Sequence, residues 1–256
     1  MPSLHSSSSD LTLIAINGFL GRTSDWGLIR DLLPSGRKLH TIDLLDESMF
    51  RNFDEWARRT ADQIATQLPT ETKKVLLGYS MGGRLALHLL LQVPELFHAA
   101  MIVSANPGLS SDEERLTRTK ADEIWATKFG HDQWDTVMAE WNAQPTLAPP
   151  KNPDADTIVL DRRESDFNRD SLAQILRTWS LGAQRDLRAD IARLTLPIQF
   201  VTGKDDAKFT ALTQVLAAEP AAGLRSHVIV ENAGHRVPWD APTQFRTSLA
   251  KFVSRW

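Results

Sequence analysis

The chain contains no cysteine. That removes a thiol nucleophile, a thiolate metal site and a disulfide framework, and leaves the redox compartment unspecified. Neither sign of charge is in large excess: 29 Lys and Arg stand against 32 Asp and Glu, for a formal net charge of −3. No global field draws such a chain to nucleic acid or to an anionic membrane, and neither is expected as a partner. Long apolar runs are missing too. The first, Leu11–Ile16, is too short for a signal core or a membrane span, and no basic region precedes it. A cytoplasmic location is therefore expected, with the serine run Ser6–Ser9 as a disordered lead-in. Clusters of metal ligands are absent, and Gly82-Gly83 does not form a phosphate-binding loop, so neither a metal nor another cofactor is expected. No internal repeat or heptad run is present.

What the chain does have is 256 residues with 42% apolar content, enough to bury a sizeable core. Short apolar runs at Leu11–Ile16, Leu39–Asp43, Lys74–Gly78, Ala99–Ser104, Ile198–Thr202 and His227–Glu231 read as strands. Helical patterns at Phe53–Leu68, Met81–Gln92, Thr210–Ala218 and Pro242–Arg255 lie between and after them. Apolar strands alternating with helices predict an α/β fold, a mostly parallel central sheet with helices on both faces. The alternation breaks over residues 106–184. That stretch shows helical patterns, four prolines between Pro145 and Pro153, and four of the eight tryptophans. It is expected to be a helical cap inserted into a core made of residues 1–105 and 185–256. Ligands of open α/β sheets bind beyond the carboxyl ends of the strands, so an insertion leaving from such an end would form a lid.

The most informative motif is Gly78-Tyr79-Ser80-Met81-Gly82. An apolar strand precedes it and a helical pattern follows. This is a strand–turn–helix elbow that holds a serine in a strained backbone and exposes its hydroxyl at a helix N-terminus. Serine is a weak nucleophile or base until a histidine accepts its proton and an acid orients that histidine. The order serine, acid, histidine is available here. Gly203-Lys204-Asp205-Asp206 follows the strand Ile198–Thr202, and Asn232-Ala233-Gly234-His235 follows the strand His227–Glu231. Of the seven histidines only His235 sits on a loop after a late strand, and Asp206 is favoured over Asp205, which could cap the next turn. Two backbone donors for an oxyanion are expected at Met81 N–H and, on the loop Asn17-Gly18-Phe19-Leu20-Gly21, at Phe19 N–H.

Arg84 lies four residues after Ser80, on the same helical face. In the insertion, Arg115, Arg118, Asp122, Trp125 and Phe129 form one helical stripe whose apolar half should face inward and carry both arginines with it. The insertion holds nine Lys and Arg against fourteen Asp and Glu between Asn106 and Gly182, so these arginines are not part of a general basic surface. They can be carboxylate clamps or surface partners of Asp122 or Glu114. Arg162, Arg163 and Lys208 are weaker candidates of the same kind. Trp141 either packs a core or stacks on a ligand.

The serine elbow and the final histidine resemble the α/β-hydrolase superfamily. Within it, Gly82-Gly83-Arg84, Asn106-Pro107-Gly108-Leu109, the Arg115/Arg118 stripe, Glu140-Trp141, Ser180-Leu181 and Asp205-Asp206-Ala207-Lys208-Phe209 resemble the MenH family, the 2-succinyl-6-hydroxy-2,4-cyclohexadiene-1-carboxylate synthases of menaquinone biosynthesis. The resemblance runs over most of the chain. It implies a lyase without a cofactor that eliminates pyruvate from a small polycarboxylate cyclohexene, with Ser80, activated by His235 and Asp206, abstracting a ring proton. It also implies substrate contacts from Arg84, Arg115, Arg118 and Trp141, with Tyr79, Arg163 and Lys208 as further contacts. A carboxylesterase or carbon–carbon bond hydrolase with the same triad is the alternative. The chain departs from the family pattern at Asn17, where a histidine is usual, at Asn142, where a tyrosine is frequent, and at Asp43-Leu44-Leu45-Asp46-Glu47, which lacks the usual glycine-rich loop.

Overall fold

The computed structural model describes residues 11–33, 37–45, 51–218 and 224–256. Ser6–Ser9, His5, Asp46 and Glu47 lie outside the described residues. Six strands form one sheet: β1 (Leu11–Ile16), β2 (Arg37–Ile42), β3 (Lys73–Tyr79), β4 (Ala99–Val103), β5 (Ile198–Gly203) and β6 (Arg225–Val230). Their spatial order is β2-β1-β3-β4-β5-β6, and every pairing is parallel.

Each strand was expected within a few residues of where it lies. β2 and β6 begin two residues before the apolar runs that announce them. Their parallel ladders start at Leu11↔Arg37 and Ile198↔Arg225, and backbone pairing does not require an apolar side chain. Both are edge strands, less buried than the four between them.

Ten helices accompany the strands among the described residues: α1 (Gly27–Arg30), α2 (Phe53–Gln67), α3 (Met81–Gln92), α4 (Asp112–His131), α5 (Trp134–Asn142), α6 (Arg169–Thr178), α7 (Arg188–Arg193), α8 (Ala207–Ala218), α9 (Val237–Asp240) and α10 (Pro242–Val253). The period-2 alternation of β1 sorts the two layers. Ile14 and Ile16 join a core with residues of α2 and α3, whereas Leu11, Leu13 and Ala15 join one with α1 and α10. β1 is buried along its whole length, which is why its sequence reads as a continuous apolar run.

Between β4 and β5 the described chain holds helices and no strand. α4 opens with a capping box from Ser111 and Glu114, and α4 packs along α6. From β1 the chain moves to β2 on one side and then to β3 on the other, so the winding direction reverses between β1 and β3. Ligands bind at such a switch point, outside the carboxyl ends of the strands. The loops after β1 and β3 carry Phe19 and Ser80. No helix among the described residues is long and apolar enough to cross a membrane.

Candidate active site

Ser80 sits between β3 and α3 with φ 53° and ψ −114°, a strained conformation for a residue with a Cβ. The surroundings hold it there. Its N–H donates to the Val103 carbonyl at 2.8 Å, and its carbonyl accepts the Arg84 N–H at 3.1 Å. A Cβ at Gly82 would collide with the Ile16 and Asn17 carbonyls, so glycine is what lets α3 start directly against the end of β1.

Ser80 Oγ lies 2.9 Å from His235 Nε2, and His235 Nδ1 lies 2.8 Å from Asp206 Oδ2. His235 and Asp206 are buried. The loops after β5 and β6 that carry them are pressed together: the Asp205 N–H donates to the Ala233 carbonyl, and a Cβ at Gly203 would overlap the Ala233 and Gly234 carbonyls. Asp206 Oδ1 also accepts the Phe209 N–H at 3.3 Å, which starts α8 three residues earlier than its apolar pattern suggests. Asp205, weighed as a cap, instead accepts the Lys151 N–H at 2.8 Å. The Phe209 ring contacts the His235 ring edge-on with centroids 4.5 Å apart.

Two cavities meet at Ser80 and share Phe19, Trp141 and Leu147 as walls. The smaller, about 130 Å³, is lined by Met81, Arg84, Arg118, Lys208 and His235. The larger, about 520 Å³, is walled mainly by rings and aliphatic groups, including Tyr79, Trp239, Pro149, Pro150 and Leu160. Phe19 and Trp141 pack edge to face at 5.0 Å, and Trp141 also packs on Trp125 and Phe129. Trp141 is therefore both a core packer and a cavity wall.

Arg84 is buried. Its guanidinium donates to the Trp179 carbonyl at 2.6 Å and to Gln184 Oε1 at 3.2 Å. Burial, with the Arg118 charge adding, pulls it down to about 9, so it remains cationic at neutral pH. Arg118 is 42% exposed along its side chain and donates from Nε to both oxygens of Asp122, at 2.8 and 2.9 Å. Asp122 is itself buried and accepts from Ser180 Oγ at 2.7 Å. The surface-pair and cavity readings of Arg118 are thus both realised. Lys208 is exposed yet lines the smaller cavity. Burial raises the Tyr79 phenol well above its ordinary value, so it stays protonated, and its ring packs on Trp239 in the larger cavity.

Two expected contacts lie elsewhere. Arg115 does not reach either cavity. It sits in the first turn of α4, where its guanidinium donates to the Leu109 carbonyl at 3.0 Å and pairs with Asp112. Arg163 is 72% exposed and pairs with Asp161 at 3.3 Å. Its neighbour Arg162 turns inward instead, lining the larger cavity and pairing with buried Asp25. The stripe argument carried Arg118 inward but failed one turn earlier, where the Leu109 carbonyl on the loop before the helix and the Asp112 carboxylate take the guanidinium instead. Gln184 and the Trp179 carbonyl, which hold Arg84, escaped the sequence reading because nothing in local spacing marks a hydrogen-bond acceptor 95 to 100 residues away. Ser104 was missed as well. It has φ 48°, lines the smaller cavity, and its buried hydroxyl has no partner. No group of metal-ligating side chains is found among the described residues.

Comparison with known proteins bears on the family and the fold. The sequence pattern of the alpha/beta hydrolase family matches residues 13–247. A Klebsiella pneumoniae protein named 2-succinyl-6-hydroxy-2,4-cyclohexadiene-1-carboxylate synthase is 30% identical over 245 residues, covering 94% of this chain and 93% of its own length. An Enterobacter protein of the same name is 30% identical over 246 residues, covering 94% and 91%. The solved structure of MenH from S. aureus superposes with a TM-score of 0.84 over 98% of this chain and 96% of its own, at 19% identity, and so bears on the fold. Matched nearly end to end by proteins of that name, the chain belongs to the alpha/beta hydrolase family and, within it, to the MenH group.

Proposed function

We propose that this chain is a 2-succinyl-6-hydroxy-2,4-cyclohexadiene-1-carboxylate synthase acting in menaquinone biosynthesis. The observation that carries the reading is a buried guanidinium, Arg84, lining the same small cavity as a serine in reach of a histidine. Burying a cation is expensive unless it is paired, the two acceptors that hold Arg84 are neutral, and fixed cations suit a substrate with several carboxylates. Arg84, Arg118 and Lys208 bind those carboxylates. Trp141 lies over the ring, and the helical segment between β4 and β5 serves as the lid that excludes water.

The chemistry follows from the Ser80–His235–Asp206 line. Ser80 passes its proton to His235 Nε2, and Asp206 keeps the imidazole in the required tautomer and balances its charge. The Ser80 oxygen then takes a proton from the substrate ring. The C–H electron pair becomes the new C=C bond, and the C–O bond to the enolpyruvyl group breaks with its pair going to oxygen. The departing enolate takes the proton held on His235 Nε2, which restores the neutral imidazole, and the enol tautomerises to pyruvate. Enolate-like charge formed on the way is met by the N–H groups of Phe19 and Met81 and by the N-terminus of α3. No cofactor takes part in these steps. Cytoplasmic residence belongs to the same reading.

The larger cavity favours a second reading, a carboxylesterase or carbon–carbon bond hydrolase, because its mostly apolar walls suit an acyl or aryl group. One assay separates the two. Pyruvate release from the multiply carboxylated cyclohexene is measured beside turnover of simple aryl esters. Release of pyruvate that Ser80→Ala abolishes is expected. Strong ester turnover without pyruvate would remove the lyase reading.

A further inference from the structure

One buried ion pair has no place in the chemistry above. Arg162 and Asp25 have side chains 8% and 4% exposed. They meet through two parallel hydrogen bonds, Nη1 to Oδ1 at 3.0 Å and Nη2 to Oδ2 at 2.6 Å. Arg162 belongs to the segment between α5 and α6, and Asp25 to the 3₁₀ turn Thr23–Trp26 that follows the loop after β1. A desolvated pair of this kind recovers little net stability, so what it holds in place matters more than its strength.

What it holds is the loop that carries Phe19. Asp25 Oδ2 accepts the Arg22 N–H at 2.8 Å, and the Arg22 carbonyl accepts from Asn17 Nδ2 at 2.5 Å. Arg22 is therefore fixed on both sides of its Cα. Between Asn17 and Arg22 the chain makes a tight turn closed by Gly21 N–H to the Gly18 carbonyl at 3.0 Å, with Leu20 at φ 60°. A left-handed leucine persists only where its neighbours hold it. The Arg162 end is equally restrained: Trp134 Nε1 donates to the Arg162 carbonyl at 2.7 Å. A second ion pair, Arg22 with Asp166 at 2.7 Å, runs between the same two segments.

We infer that Arg162 and Asp25 are positioning residues for the oxyanion donor. The inserted segment sets the Phe19 N–H through Asp25, the Arg22 peptide and Asn17. Arg162 acts through that loop and not as a carboxylate clamp, since the buried Asp25 carboxylate spans both its terminal nitrogens and neutralises its charge. This inference rests on the reading of Ser80 and Phe19 given above.

The test is the affinity of an alkylboronic acid, which adds to Ser80 Oγ and presents an anionic oxygen to the oxyanion donors. Asp25→Asn and Arg162→Gln should each weaken boronate binding roughly 10-fold, a fraction of the roughly 10²–10³-fold that follows loss of a whole donor. kcat for pyruvate release should fall in parallel with KM nearly unchanged, and the double variant should be no worse than either single one. The exchanged pair Asp25→Arg with Arg162→Asp should regain thermal stability but not boronate affinity, because an arginine at 25 cannot accept the Arg22 N–H. Should Asp25→Asn fail to fold, Arg162→Lys, which keeps the charge and loses the second hydrogen bond, carries the same comparison. A raised KM with boronate affinity and kcat intact would make Arg162 a substrate clamp and overturn the inference. So would a change confined to thermal stability. A boronate that ignores the wild-type protein, or binds Ser80→Ala equally well, would instead sink the role of Ser80 itself, and this inference with it.

Discussion

The carboxyl edge of the sheet and the segment between β4 and β5 supply the site in different ways. The sheet edge delivers Ser80, Asp206 and His235 from three separate strand ends, with Ser80 and Asp206 held by backbone hydrogen bonds and the His235 loop tied to the acid loop through the Ala233 carbonyl, and His235 and Asp206 are almost sealed from solvent. The inserted segment delivers Arg118 from the middle of a helix, 42% exposed, aimed by one buried carboxylate. Arg84 falls between the two, starting from the sheet-edge helix α3 but held by acceptors from the end of the insertion, Trp179 and Gln184. On the proposed reading, the strand ends set the geometry for proton transfer, and the charge for recognition comes from Arg84, held between the two regions, and from the more exposed Arg118.

The strongest way to break that contrast is at the sheet edge. Ser80→Ala should lower pyruvate release by roughly 10²–10⁴-fold, the range for loss of a general base, with the melting temperature close to wild type, since alanine keeps the Cβ and with it the strain at φ 53°. His235→Ala should match it, since the serine then has no base to take its proton. Next comes Arg84→Ala. It strands the Trp179 carbonyl and Gln184 Oε1, each formerly in a charge-assisted hydrogen bond of about 1.5–3 kcal/mol. Both kcat/KM and the urea midpoint should drop, which kinetics and denaturation read separately.

Arg118→Ala should raise KM about 10-fold, worth about 1.4 kcal/mol, and leave kcat close to wild type. Ser180→Ala, which frees Asp122 from its hydroxyl partner, should show a weaker form of the same phenotype.

A smaller effect belongs to His88 on α3, which stacks on Phe53 at 4.3 Å. Burial first, then the charges of Arg84 and Arg185, hold its imidazole down to about 3 against an ordinary 6.5. Between those values the unfolded chain binds a proton that the folded chain refuses. Folding stability should therefore fall with pH below 6.5 by about 1.4 kcal/mol per unit from this group, and His88→Leu should flatten that slope in urea melts at pH 6 and pH 5. At the bottom of the scale, Arg115→Ala and Arg163→Ala should stay within about two-fold of wild-type kinetics, as removal of solvent-exposed pairs usually does. A large KM effect from either would mean that the segment between β4 and β5 rearranges when substrate binds.

The same contrast explains how much could be read without coordinates. β1, β3 and α3 were legible because continuous burial and a glycine-flanked serine leave a local trace, and Asp206 and His235 were legible because each follows a strand directly. Arg118 was legible from helical spacing, whereas Trp141 was named with core packing and ligand stacking both left open. Arg115 was not, because spacing assigns a face and says nothing of which nearby carbonyl a long side chain satisfies. The choice between Arg162 and Arg163 was not legible for a related reason: neighbouring residues point to opposite sides, and only the position of Asp25, 137 residues away, decides which one turns in. Gln184 and Ser104 left no trace at all, since a lone amide or hydroxyl has no pattern.

The contact at Gly203 reaches further than local packing. With the acid loop and the histidine loop touching backbone to backbone, no side chain of any kind fits between them, so their separation does not depend on what the rest of the pocket contains. On the proposed reading, the proton-handling half of the molecule stays constant while its recognition half is remodelled, and a change of substrate would be written in residues 106 to 184, and in Arg84 and Lys208 beside them, before it was written in the acid and histidine loops.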